Sequence, residues 1–474
     1  MAVYQKCFSI PPRFLCTRCL SHHPAVLTQW ASIVETQKRT KYSQRKRKQE
    51  ERKAQENVYV GEQASKSRIV YAWGLAASGA LGIASYMRPS LKFDKQQFAI
   101  NKINRPARVR FFDIHKLKPL NIACGHGFSL IHAQYQDKKL LLGTGVNTDS
   151  QLGYHETPRG SGRVLDQLIE PGRLRLPAQR PDDLNVVSMS CGRAHSAIVV
   201  EDEGVFTLGN NASGQCGRPV VEGEDFSKNQ TVNKLHDLPE DVVKVVCGQD
   251  HTLFLTATGQ LWSCGLGADG QTGVGHYNIT ARPQLVRGDV EGETIVSVSA
   301  KGDCTLAVSD KGDLFGWGNS EYSQLASITS ESQVNVPRRL PTEICGKVVK
   351  AVAGGSMCAL LNDQGEVFVW GYGILGKGPA LEVTSQPNLI PAAIFGRSEL
   401  SPDTRVVDID CGLTYLLAQT DRGDLYSWGR NNQGSLGLGQ DKNQYFPWRI
   451  ALPAETAQFS CGPDHVLAIC RSYT

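Results

Sequence analysis

A residue followed by glycine recurs along the chain in similar surroundings, at Trp73, Leu142, Leu208, Cys264, Trp317, Trp370 and Trp428. Successive spacings are 69, 66, 56, 53, 53 and 58 residues. Self-similarity at a period near 50 marks a repeat architecture and takes precedence over any single motif within it. A second motif alternates with the first. It reads CGHGFSLIHA at 124–133, CGRAHSAIVV at 191–200, CGQDHTLFLT at 247–256, CGLTYLLAQT at 411–420 and CGPDHVLAIC at 461–470. Residues 299–308 (SAKGDCTLAV) and 353–362 (AGGSMCALLN) are degenerate copies. Between the motifs lie short turns such as Asp421-Arg422-Gly423-Asp424. An apolar run, a short glycine turn and a second alternating run spell a β-hairpin.

The two motifs are out of phase, and this fixes the closure. The periodic part begins with the second half of a unit, Val70–Gly82, and ends with a first half, Phe459–Cys470. A solenoid would expose both halves as unpaired edges, which invite aggregation. A ring pairs Cys461–Cys470 with Val70–Gly74 and completes the seventh unit. The fold expected is all-β: a seven-bladed β-propeller over residues 68–474, closed between its N- and C-terminal strands.

Repeats of the form C-G-x-x-H-[ST], then aromatic-x-W-G, then G-Q-L-G, resemble those of the regulator of chromosome condensation propellers. The likeness covers roughly residues 68–474, and the basic leader before the ring resembles that of the family's mitochondrial branch. Ala300 and Ser356–Cys358 depart from the C-G-x-x-H set. Under this reading the glycines are structural, supplying positive φ and close strand approach. Two nucleotide-binding look-alikes fall with them. Gly265, Gly267 and Gly270 fit a dinucleotide fingerprint, but QTGVGHYNITARPQLV after them is no helix. The run from Gly371 to Lys377 is nearly a phosphate-binding loop, yet Gly378 stands where a magnesium-ligating hydroxyl belongs. No cofactor is expected.

Residues 69–87 are uncharged and long enough to span a bilayer. However, Trp73-Gly74 and Leu81-Gly82 keep the repeat register, so a strand and loop are expected there. No transmembrane span follows, and peripheral membrane association stays open. Cys124, Cys191, Cys247, Cys411 and Cys461 share one repeat position and read as small buried apolar groups of an intracellular protein. Cys16, Cys19, His22 and His23 have zinc-compatible spacing. They lie in a segment that reads as removable, so no metal is expected.

Residues 1–34 contain Lys6, Arg13 and Arg18 but no acidic residue, which suits a mitochondrial presequence ending near residue 37. A basic linker, 38–67, would follow. Its Arg45-Lys46-Arg47-Lys48 run supports the rival nuclear address. Charge is unevenly spread: +8 over residues 1–60, +8 over 61–118 and −11 over 119–474. The band 88–118 carries Arg88, Lys102, Arg105, Arg108, Arg110, Lys116 and Lys118, interleaved with Phe98, Phe111 and Phe112. Cations there would neutralise phosphates, and aromatic rings would stack on unpaired bases. The alternative is an ordinary inter-blade loop with its Phe residues in the core.

No catalytic constellation is legible. His195, His251 and His465 repeat at one position, as bridges between blades would. The resemblance implies two kinds of function. The mitochondrial branch is associated with large-subunit ribosomal RNA and ribosome assembly, which implies an adaptor for RNA and assembly proteins. The family's best-known member promotes guanine-nucleotide exchange on a nuclear GTPase. The mitochondrial branch has been linked to exchange on a dynamin-like fusion GTPase. Exchange needs no covalent step, only stabilisation of the nucleotide-free state. Asp250 and Asp464 match the acidic turn of the exchange-active member, and the insert 154–185 is the candidate wedge. The adaptor is the reading expected, in the mitochondrial matrix or on the matrix side of the inner membrane.

Overall fold

The computed structural model describes residues 67–87, 100–156 and 164–472. The expected presequence and linker, the Cys16–His23 group, Arg45–Lys48, Arg88 and Phe98 lie outside these residues. One compact unit spans Ser67–Tyr473. Its described strands, β1 to β28 in chain order, form seven four-stranded antiparallel sheets. Six sheets use four consecutive strands, beginning with Lys118–Leu174 as blade 1 and ending with Val406–Arg449 as blade 6.

Blade 7 is assembled from the two ends of the ring. Strands β27 (Glu455–Cys461) and β28 (His465–Arg471) pair with β1 (Arg68–Leu75) and β2 (Lys102–Arg108), in the order β2-β1-β28-β27. The β1–β28 register runs from Arg68 opposite Arg471 to Gly74 opposite His465. The closure implied by motif phase is therefore the closure observed. Residues 69–87 hold β1, a turn and a short helix at Ala84–Met87, as the repeat register required. No described helix is long and apolar enough to cross a membrane.

Each repeat motif has a definite station. The CG pair ends a blade's first strand, the histidine position opens the second, and Trp-Gly lies on the third. Trp73, Trp317, Trp370 and Trp428 are fully buried. Three of them donate an indole N–H to the preceding blade: Trp73 to Ser435 O at 2.8 Å, Trp317 to Gln271 O at 3.0 Å and Trp370 to Gln324 O at 2.8 Å. The last glycine of the G-Q-L-G motif makes room for the ring. A Cβ on Gly273 would stand 2.7 Å from Trp317 Nε1, and one on Gly437 2.8 Å from Trp73 Nε1, with φ of +71° and +69°. Only glycine accepts both demands.

Both edges of the blades are managed. The outer strands contain Pro106, Pro171, Pro283, Pro337, Pro387 and Pro447, one in each blade except blade 2. Proline offers no N–H to a foreign strand, so these edges resist further pairing. At the inner edges, backbone N–H groups are capped by side chains of the preceding blade. Ser190 Oγ accepts from Cys247 N at 2.9 Å, Asp410 Oδ2 from Cys461 N at 2.8 Å and Ser460 Oγ from Cys124 N at 3.1 Å.

Candidate functional site

The repeated histidines bridge blades, but through hydroxyls of the next blade rather than backbone groups. His195 Nε2 lies 2.9 Å from Thr252 Oγ1, His251 Nε2 3.3 Å from Thr305 Oγ1, and His465 Nε2 2.7 Å from Ser129 Oγ. With Asp464 Oδ1 at 2.7 Å from His465 Nδ1, the last set has the outline of a hydrolase triad. The proton inventory excludes that chemistry. Ser129 donates its one hydroxyl proton to Ala80 O at 3.0 Å, so Nε2 must donate to Ser129. Nδ1 also donates, to Asp464, which leaves His465 an imidazolium with no lone pair for a base. Burial opposes that charge, but Cys124 and Asp464 outweigh it and lift the pKa to about 10. His195 and His251 lack the carboxylate, and burial lowers them to about 3 and about 4.

The two acidic turns are equally committed. Asp250 is 5% exposed and holds Arg193 through Nε at 3.1 Å and a second nitrogen at 2.5 Å. Burial raises its pKa against the pull of Arg193. Asp464 grips His465 and also accepts from Gly127 N at 3.3 Å. Burial pushes its pKa up, yet His465 brings the net shift down. Both carboxylates tie one blade to the next. Arg193, the partner of Asp250, is the variable third residue of its own CG motif, so the motif pattern alone gives no sign of its role.

Where the repeat lacks histidine, the clasp changes chemistry. Cys304 opposes Gly318 as His251 opposes Gly265, and Cys358 opposes Trp370 as Thr305 opposes Trp317. A pair of neighbouring thiols, Cys304 and Cys358, thus replaces imidazole and hydroxyl between blades 4 and 5, and burial and then Cys304 push the Cys358 thiol up. All eleven described cysteines are free and buried.

The basic band meets the surface in one groove of about 710 Å³ beside the outer edge of blade 7. Arg105 and Arg108 come from β2, Arg110 and Phe111 from the start of the short helix Phe111–Ile114 after it, and Tyr86 from the short helix after β1. His115 and Ile114 complete one wall, and Glu170 is the acidic residue of the lining. Arg108 is held by Asp113 in a two-pronged pair at 2.8 and 3.0 Å. Lys102 is turned to Asp441 at 2.9 Å. Arg105 and Arg110 are exposed and have no ion pair among the described residues. Lys116 lines an adjoining depression with Phe111, Ile114 and Tyr135. Lys118 opens the first strand of blade 1 and lines neither. Phe112 belongs to the core, whereas half-buried Phe111 faces the groove.

A match to the RCC1-like domain model covers residues 159–474. The mouse "RCC1-like G exchanging factor-like protein" is 47% identical over 88% of this chain and 90% of its own length. The chain belongs to the RCC1-like propeller family. The crystal structure of human WBSCR16 superposes with a TM-score of 0.79 at 47% identity, covering 85% of this chain and all of that one. Yeast RCC1 (Prp20), solved bound to Kap60, shares the fold with a TM-score of 0.68 at 17% identity.

The RCC1-like frame also explains the insert at 154–185. Gln167–Leu174 is the outer strand of blade 1, and Leu176 and Leu184 are buried, so much of this segment is blade rather than wedge. Neither look-alike loop is followed by a helix: Gly265–Gly270 leads into turns, as does Gly376–Gly378. A second surface feature is a cleft of about 530 Å³ lined by Gln249, Asp269, Asp303, Tyr322, Tyr372 and Arg430, among others. Tyr322 and Tyr372 stack at 6.0 Å and are 42% and 40% exposed. Asp303 is pushed up to about 6 by burial and by the charges of Asp269 and Asp250.

Proposed function

We propose that this RCC1-like propeller is a mitochondrial adaptor that binds RNA through the groove of blade 7, supporting ribosomal RNA stability and ribosome assembly. The observation that carries the reading is the contrast in commitment. Arg105 and Arg110 have no ion pair among the described residues and stand beside Phe111, His115 and Tyr86, while Asp250 and Asp464 are tied into the ring. Guanidinium groups next to aromatic faces suit the phosphates and unstacked bases of single-stranded RNA. The mitochondrial address rests on the acid-free residues 1–34. The test is RNA affinity against salt for wild type and the Arg105→Ala/Arg110→Ala variant. Affinity should fall across sequences, and the salt slope should drop by about 0.7 for each phosphate no longer neutralised. Unchanged affinity and slope overturn the reading.

A second reading, guanine-nucleotide exchange on a mitochondrial dynamin-like fusion GTPase, is favoured by the name of the 47%-identical relative and by the cleft with stacked Tyr322 and Tyr372. Nucleotide release measured with Asp250→Ala and Tyr322→Ala separates the two. Loss of release in both variants with intact RNA binding supports exchange.

A further inference from the structure

The first strands of the seven blades touch one another around the ring, so their inward side chains line an axial channel. Counting back three residues from the CG position gives one rank: Asn121, Ser188, Lys244, Ser297, Lys350, Asp408 and Gln458. One residue back gives a second: Ala123, Ser190, Val246, Ser299, Val352, Asp410 and Ser460. Around most of the first rank, neighbours satisfy each other. Lys350 Nζ lies 2.5 Å from Asp408 Oδ1, and Gln458 donates to Asn121. Lys301 lies in the bend after the first strand of blade 4. Its charge is felt by Cys191, Cys247, Cys411 and Cys461 from four other blades, and Asp410 is its chief attraction.

Lys244 is different. No hydrogen bond or ion pair holds its ammonium among the described residues. Burial first, then repulsion from Lys350, lowers its pKa to about 8 against the pull of Asp408 and Asp410. The adjoining first strand of the preceding blade carries Ser188 and Ser190, and that of the following blade carries Ser297 and Ser299. Ser188 Oγ accepts from Val245 N at 3.2 Å, Ser190 Oγ from Cys247 N at 2.9 Å and Ser299 Oγ from Ala353 N at 3.3 Å. An oxygen that accepts a backbone N–H keeps its own proton to give; Ser190 is matched to the Cys247 thiol, whereas Ser188 and Ser299 have no acceptor among the described residues. The sector therefore presents one cation without a direct partner among the described residues and the hydroxyl donors of Ser188 and Ser299, while Asp408 is held by Lys350 and Asp410 by the backbone N–H groups of Cys411 and Cys461.

We propose that this sector of the channel binds one tetrahedral oxyanion of the phosphate class, held by the Lys244 ammonium and the serine hydroxyls. The site is independent of the blade 7 groove and of the RNA reading. An oxyanion accepts from every donor in the sector and relieves the repulsion between Lys244 and Lys350, as charge-assisted hydrogen bonds favour.

The test is thermal unfolding and calorimetric titration of the full chain with sodium phosphate against sodium chloride at equal ionic strength. Phosphate at about a hundredfold excess over its Kd should raise the melting temperature by roughly 2–5 °C. Lys244→Met should lose the response, Lys244→Arg should keep it, and Arg105→Ala/Arg110→Ala should keep it. A nucleoside monophosphate that competes identifies a phosphate ester as ligand; competition by sulfate alone identifies the free ion. A phosphate response no larger than that to chloride, or one unchanged in Lys244→Met, overturns the proposal. If Lys244→Met does not fold, loss of the wild-type response on charge-removing acetylation of Lys244, located by mass spectrometry, decides in its place.

Discussion

The turns that carry Asp250 and Asp464 and the groove that carries Arg105 and Arg110 hold opposite charges and use them in opposite ways. In the turns, each carboxylate is enclosed and faces a partner on the neighbouring blade or beside it. In the groove, two of three guanidinium groups are exposed and have no ion pair among the described residues. A charge spent inside the ring contributes to the fold and is unavailable to a ligand; one left unpaired at the rim contributes little to stability and remains available. Sequence motif and functional site therefore separate here. The most regular residues hold blades together, and the least regular stretch carries the candidate interface.

The comparison is broken most severely by removing the blade on which the groove stands. Deleting 459–474 strips β28 from β1, so the cooperative melting transition and RNA binding should disappear together; a truncated chain with the wild-type transition would refute the ring closure. Next in size, Trp317→Ala should lower stability by about 3–5 kcal/mol through diminished burial and a cavity, read from the denaturation midpoint. Asp464→Ala leaves the buried Nδ1 of His465 and the N–H of Gly127 without their acceptor, at a cost of about 1–3 kcal/mol. By contrast, Arg105→Ala/Arg110→Ala should shift stability by less than about 0.5 kcal/mol. Equal shifts for those two variants would erase the distinction between ring and rim.

Proton linkage sharpens it further. His195 and His251 titrate near 3 and 4 in the folded chain, below the unfolded value of 6.5. As pH falls below about 6.5 the unfolded state binds protons first, so stability should drop by up to about 1.4 kcal/mol per pH unit for each histidine. His465 has the opposite sign: its contribution is complete below 6.5 and is lost as pH rises through about 10. Urea midpoints of His195→Asn and wild type from pH 4 to 7 check the first claim, since the variant should be flatter. A further contrast concerns Trp428, whose indole N–H finds no acceptor among the described residues, unlike that of Trp317. Trp428→Phe should cost about 1 kcal/mol less than Trp317→Phe. Equal costs would show that the indole bond contributes nothing between blades.

Blade number and closure are legible in the sequence because a ring must repeat, and each repeat leaves Trp-Gly and the CG motif in register. The fourth strand of each blade is not. Segments such as TARPQL (280–285) and QYFPWR (444–449) carry proline and weak alternation, which disguise an edge strand. The arginines of the band are visible as charge, but which of them finds a carboxylate among the described residues, as Arg108 does, depends on Asp113 and on the short helix after β2. Tyr86, Ile114, His115 and Glu170 carry no motif at all and meet the arginines only through tertiary packing.

Blade 7 also imposes an order of events during synthesis. The groove's arginines are translated with β2, but the strands that support β1 are residues 455–471, some 350 residues later. At typical elongation rates of roughly 5–20 residues per second, the basic segment waits on the order of tens of seconds for its scaffold. A chain stalled or cleaved before β28 would display positive charge without a shaped groove. The proposed recognition of RNA by this edge would thus be a property of the finished molecule, with ring closure doubling as a check that translation ran past the last blade.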